Sequence, residues 1–219
     1  MSNTSPREAW TALVEGNRRF VADTPEHPSQ GIDHRASLVG GQHPSAIVFG
    51  CADSRVAAEI IFDQGLGDMF VVRTAGHVVD SAVLGSIEFG VEVLNTPLIV
   101  VLGHDSCGAV KATIDALEAG TVPGGFIRDI VERVTPSVLE ARREGIDGVD
   151  EVVARHVLET GNLLTQRSPI IERRIESGKL AIVGATYKLS DGRIELQGAI
   201  GDVGETGVGG FERRATANA

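Results

Sequence analysis

The sequence predicts an α/β fold, a mostly parallel central β-sheet flanked by helices in one domain. Two observations carry this. Four short apolar runs, "SAIVFG" (45–50), "MFVVRTAG" (69–76), "PLIVVLG" (97–103) and "KLAIVGATYKL" (179–189), are bounded by glycine, proline or polar residues and read as buried strands. The stretches between them carry helical spacing, and strands alternating with helices build parallel sheets. Size agrees. A chain of 219 residues with 42% hydrophobic content supports one substantial core, built mainly from aliphatic residues because aromatics are only 4%.

Taken in order, residues 6–22 form an amphipathic helix, with Pro6 in its first turn and Trp10, Leu13, Val14 and Phe20 along one stripe. Residues 23–44, rich in Pro, Gly, Asp and His, read as an irregular arm. "SAVLGSIEFGVEVLN" (81–95) is helical despite two glycines. "AVKATIDALEAG" (109–120) is a helix closed by Gly120. Residues 125–143 and 150–177 are further helical segments. "DGR" (191–193) turns the chain into a last strand, "IELQGAI" (194–200), expected to pair antiparallel. The organisation is therefore a helix and arm (1–44) belonging to the same domain as the core (45–200), then a tail (201–219) expected to be mobile.

A net charge of −10 and a pI near 5.0 argue against nucleic acid or an anionic membrane as partner. The N-terminus lacks a basic segment followed by an apolar core, and no apolar run is long enough to span a bilayer. A cytoplasmic protein is expected. In a reducing compartment its two cysteines are metal ligands, reactive thiols or core residues rather than a disulfide.

Both cysteines follow apolar strands, in "GCADSRV" (50–56) and "LGHDSCGAV" (102–110). Ligands bind beyond the carboxyl ends of strands in open α/β sheets, so Cys51, His104 and Cys107 would meet at one point. Two thiolates and an imidazole form a catalytic zinc set with a fourth position open. Either cysteine or the histidine alone reads equally well as a core residue. Asp53 and Arg55 sharpen the pattern, because an arginine can hold a nearby carboxylate bidentately and keep it ionised. His27, His34, His43, His77 and His156 receive no metal role. Gly108 would let the backbone pass close to the metal loop, Gly103 would ease the turn into His104, and Asp105 and Ser106 would orient that loop. The helix that follows points its positive end at Cys107.

These motifs, C-x-D-x-R after one strand and H-x-x-C after a later one, resemble those of β-class carbonic anhydrases. So do "VVRTAGH" (71–77), "LGSIEFGVEVL" (84–94) and "LAIVGATYKLSDGRI" (180–194), and the likeness covers roughly residues 6–200. The resemblance implies one zinc ion per chain on Cys51, His104 and Cys107, and reversible hydration of carbon dioxide to bicarbonate and a proton through attack of zinc-bound hydroxide. It makes Asp53 and Arg55 the catalytic dyad. Asp53 would accept the hydroxide's proton in a hydrogen bond, or swing onto zinc as a fourth ligand in a closed state. Activity should rise with pH through a value above seven.

The same resemblance implies a substrate pocket with Gln42, Phe70 and Phe89, partly supplied by a second subunit. Phe89 stands where plant-type members often carry tyrosine, so a pocket hydroxyl is lost. Val48 replaces the tryptophan of members switched off by bicarbonate, which argues against that switch. Arg73 is an interface or ion-pair residue. A homodimer is implied, its N-terminal helices wrapping the partner, with a tetramer left open. Two other functions compete: hydrolysis of carbon disulfide or carbonyl sulfide on the same fold, and a non-catalytic zinc protein. Four protein ligands and no dyad would mark the latter.

Overall fold

Ser5 starts the first helix. Its side chain accepts the Glu8 backbone N–H, the Glu8 carboxylate accepts the Ser5 N–H at 2.7 Å, and Pro6 sits where a missing N–H leaves no bond unmade. In the computed structural model, which describes residues 4–204, this helix α1 runs over Pro6–Val21. Ala9, Trp10 and Leu13 are buried against the chain's own sheet. Buried Asn17 donates to the carbonyls of Ile61 and Gly192 and accepts the Ile194 N–H, tying α1 to the last strand.

The stretch 23–44, expected to be irregular, contains a short helix α2 (Ile32–Ser37) and a 3-10 turn over Leu38–Gly40. Neither has a buried residue, so no apolar stripe announced them. The rest follows as β1 (Ala46–Cys51), α3 (Ala58–Ile61), β2 (Met69–Thr74), α4 (Ser81–Glu92), β3 (Leu98–His104), α5 (Gly108–Ala119), α6 (Ile127–Arg143), α7 (Val149–Arg167), α8 (Pro169–Glu176), β4 (Ala181–Tyr187) and β5 (Ile194–Ile200). The helical segment expected over 150–177 breaks at Ser168. A residue preceding proline is pushed out of the α region, and Ser168, at φ −118° and ψ 103°, ends α7 and caps α8. Gly120 closes α5 in the left-handed conformation, as expected. Of the tail, residues 205–219 lie outside the described residues; Val203 is buried, and Asp202 pairs with Arg7 at 3.0 Å.

The sheet has the order β2-β1-β3-β4-β5, parallel except for β5, which pairs antiparallel with β4. Both faces are covered, which is why these strands read as continuous apolar runs rather than alternating ones. Val48, Val100 and Val183 face α1 and α3. Ile47, Phe49, Ile99, Val101 and Ile182 face α4, α7 and α8. From β1 the chain crosses to β2 on one side and reaches β3 on the other. That reversal opens a crevice beyond the carboxyl ends of β1 and β3.

Candidate metal centre

Cys51 is the last residue of β1, His104 the last of β3, and Cys107 caps the amino end of α5. The register pairs Gly50 with Leu102, which places the two strand ends side by side at the crevice. The ligand atoms of Cys51, His104 and Cys107 lie within 4.8 Å of one another, and all three residues are buried. Bonds of about 2.0–2.3 Å to one tetrahedral ion put donors roughly 3.3–3.8 Å apart, so a modest inward movement of these side chains would let them share one ion. Among the described residues no other such group of three forms, so His77 and His156 stay outside it.

Local structure fixes each donor. His104 Nδ1 lies 2.8 Å from the Asp105 carbonyl, which can only accept, so Nδ1 carries the proton and Nε2 the lone pair. His104 Nε2 is buried without a hydrogen-bond partner. A buried lone pair aimed at two sulfurs fits a metal ion, and the soft thiolate–imidazole set suits zinc. The connecting loop is held three ways: Asp105 N–H donates to the Tyr187 carbonyl, the Asp105 carboxylate accepts the Leu189 N–H, and Asp150 of α7 accepts the Ser106 N–H. Ser106 takes the positive φ, 53°, that the turn needs. Gly108 has open space where a side chain would project, so the close approach expected there is absent. Gly103 lies within β3, and its bare backbone admits α7 rather than easing a turn: a Cβ would meet Val157 at 2.6 Å and Val153 at 2.9 Å.

The surroundings favour thiolate at Cys51 and thiol at Cys107. Their mutual hydrogen bond lowers Cys51 from the ordinary cysteine range against the opposing effect of burial, and raises Cys107, where burial adds to the rise. His104 and the backbone N–H groups of Gly76 and Asp53 act on the Cys51 side, and the N–H groups of Ala109 and Val110 at the start of α5 favour the Cys107 thiolate. Burial works against a charged His104, but the Cys51 thiolate, the Asp105 carbonyl and the Asp53 carboxylate outweigh it.

Asp53 sits on the open side of the cluster, its Oδ2 3.9 Å from His104 Nε2. Arg55 grips it through Nε to Oδ1 at 2.9 Å, Nη2 to Oδ2 at 2.8 Å and its backbone N–H to Oδ1 at 2.9 Å. That guanidinium, outweighing burial, holds the Asp53 carboxyl well below the usual carboxylate range. Arg73, expected as an interface or ion-pair residue, donates to the Cys51 carbonyl at 2.9 Å and the Asp53 carbonyl at 2.5 Å. It shapes the backbone between ligand and carboxylate, a role that side-chain spacing alone does not announce.

Three sequence candidates lie elsewhere. Gln42 is exposed and precedes β1, whose own ends are about 17 Å apart at ~3.3 Å per residue. Phe70 pairs with Ile47 toward the amino end of the sheet and packs at 6.3 Å on Phe89, which is 46% exposed. None of the three is brought to this chain's own cluster. Val48 is buried in β1.

Fold and donor set together define the class, an α/β protein with a metal-binding site at the switch point of its sheet. Comparison with known proteins carries this further. The carbonic anhydrase family model matches residues 46–194. Carbonic anhydrase 2 of Mycobacterium tuberculosis (strain ATCC 25618 / H37Rv) is 67% identical over 205 residues, covering 94% of this chain and 99% of that protein. A carbonic anhydrase of Mycolicibacterium smegmatis is 65% identical over 94% of this chain and 100% of its own length. Among solved structures, the β-carbonic anhydrase CafA of Aspergillus fumigatus superposes with a TM-score of 0.66 at 26% identity, over 90% of this chain and 93% of the other. The Coccomyxa β-carbonic anhydrase, solved in complex with acetazolamide, also scores 0.66, at 25% identity and 84% coverage of both chains. The chain belongs to the β-class carbonic anhydrases, an enzyme family.

Proposed function

We propose that this chain catalyses the reversible hydration of carbon dioxide to bicarbonate and a proton, with one zinc ion held by Cys51, His104 and Cys107. The observation that carries this is the orphaned Nε2 of His104 among two buried sulfurs, facing a carboxylate that Arg55 holds ionised. Zinc, when bound, supplies the Lewis acidity that makes water nucleophilic near neutral pH.

Asp53, as an ionised carboxylate, can only accept hydrogen bonds. It holds the proton of the attacking oxygen and so turns that oxygen's lone pair toward the carbon of the substrate. Arg55 keeps the carboxylate charged and aimed; released from Arg55, Asp53 could itself serve as a ligand to the ion. Cys51 and Cys107 offset the ion's charge, which places the rise of activity above neutrality.

A homodimer completes the site in this proposal. Gln42, Phe70 and Phe89, remote from their own chain's cluster, line the pocket of a second copy. Support comes from the arm, where Ile32 is 75% exposed and Val39 is 89% exposed, apolar surface that a partner would cover. No described helix is long and apolar enough to cross a membrane. Both cysteines are free, and ligand thiolates suit a reducing compartment, which supports a cytoplasmic location.

Stopped-flow hydration of carbon dioxide against pH, on protein assayed for zinc in the same sample, tests the proposal. One zinc per chain with activity rising above pH 7 is expected. Full zinc occupancy with no activity at any pH would overturn it and turn attention to carbon disulfide and carbonyl sulfide.

A further inference from the structure

Cys51 has an outer partner on a left-handed turn. The Gly76 N–H points at the Cys51 sulfur at 3.4 Å. Gly76 adopts a left-handed conformation, φ 62° and ψ 25°, and a side chain there would meet the Ala109 Cβ at 2.8 Å. Only glycine satisfies both conditions. The far side of this turn is held by a second contact. The Gly76 carbonyl receives His156 Nε2 at 2.9 Å.

The direction of this chain of bonds follows from donor chemistry. A carbonyl only accepts, so His156 Nε2 carries the proton and Nδ1 the lone pair. Nδ1 then accepts the Ser137 hydroxyl at 2.8 Å. Nearby Thr135 spends its hydroxyl on the Val131 carbonyl one turn back, the habit of such residues within helices, whereas Ser137 turns inward to the imidazole. Ser137 and His156 are each 4% exposed. The His77 ring lies 4.4 Å from that of His156 and restricts its plane. Burial keeps the His156 imidazole neutral, pushed down to about 4.

We propose that His156 is a positioning residue for the metal centre: anchored by Ser137, it holds the Gly76 turn so that the Gly76 N–H donates to the Cys51 sulfur. This rests on Cys51 being a metal ligand. A hydrogen bond to a ligating thiolate draws electron density off the sulfur and fixes its lone pairs, and outer partners of this kind tune metal affinity on the order of 10–100-fold.

The test uses the full chain loaded with Co2+ in place of zinc, together with zinc affinity measured against a chelator. His156→Leu should move the thiolate-to-cobalt charge-transfer absorption to longer wavelength and weaken zinc binding about 10-fold. His156→Gln places an amide N–H where Nε2–H stood and should restore both. A wild-type spectrum and wild-type zinc affinity in His156→Leu, with only thermal stability reduced, would show His156 to be a packing residue and overturn the proposal. Should His156→Leu fail to fold, Ser137→Ala decides: a smaller shift in the same direction supports the proposal, and an unmoved band overturns it. Wild-type protein that takes up no Co2+ would overturn the metal assignment of Cys51, and this inference with it; variants that bind Co2+ with unmoved spectra sink this inference alone.

Discussion

Gly103→Ala links the packing of α7 to the metal site one residue away. The added Cβ would sit 2.6 Å from Val157 Cγ2 and 2.9 Å from Val153 Cγ1, where ordinary contact begins at 3.4 Å. Both valines are 0% exposed, and a β-branched side chain in a helix has one strongly preferred rotamer, so neither can turn away. Helix α7 must retreat by roughly 0.8 Å, at a cost of about 1–3 kcal/mol for an overpacked core. The retreat also pulls on the metal loop, because Asp150 of α7 holds the Ser106 N–H between His104 and Cys107 at 2.8 Å. Urea unfolding of the zinc-loaded variant should show the loss of stability, and zinc should leave it faster to a chelator. Val157→Ala in the same chain removes the clashing methyl and should recover part of the loss, a coupling that a double-mutant cycle reads. Wild-type stability in Gly103→Ala, or strictly additive effects with Val157→Ala, would refute the reasoning.

Three further outcomes are expected. Asp53→Ala should lower the hydration rate by about 100-fold or more, within the usual range for a group acting on the transferred proton, and retain one zinc per chain; loss of the metal would contradict the division of roles. His156 is held neutral when folded, mainly by burial, with the Gly76 carbonyl and the Cys51 thiolate partly opposing it, and its value falls from 6.5 to about 4. The unfolded chain then takes up a proton first, so this stability is fully present above about pH 6.5 and is lost down to about pH 4, roughly 3 kcal/mol at ~1.4 kcal/mol per unit. His77, lowered by burial and by His156 and His104, adds in the same direction, and a His156→Gln variant should show a flatter loss in urea titrations between pH 7 and 4.5. Cys51→Ala and Gln42→Ala chains, each inactive alone, should regain activity when co-expressed, because a mixed dimer contains one intact composite site. Absence of recovery in an isolated mixed dimer would place Gln42 outside the pocket.

Much of this protein is written locally. The four parallel strands are legible because burial on both faces makes them unbroken apolar runs, and their ends are marked by residues that stop them. Because the ligands lie at or just past strand ends, "CADSR" and "HDSC" announce a shared site before any strand order is known. The Asp53–Arg55 grip is equally local, with one residue between the partners and a short reach between their side chains.

Other features depend on contacts between distant segments. The order β2-β1-β3 places Cys51 beside His104, yet no strand carries a mark naming its neighbour. Gly103 and Gly76 look like any glycine until α7 and Ala109 arrive against them. Helix α2 has no buried stripe from which to be read. The distance of Gln42, Phe70 and Phe89 from their own chain's ligands emerges only when β1 and β2 are laid out as extended strands. His156, far along the chain from Cys51, acquires its place only when α7 lands on the Gly76 turn. The sequence by itself determined the candidate donor set, the Asp53–Arg55 pair and the class of fold, since these follow from residue type and short-range spacing. Tertiary structure alone decided how the ligands are held and aimed, since that depends on which backbone groups and ring nitrogens packing brings together.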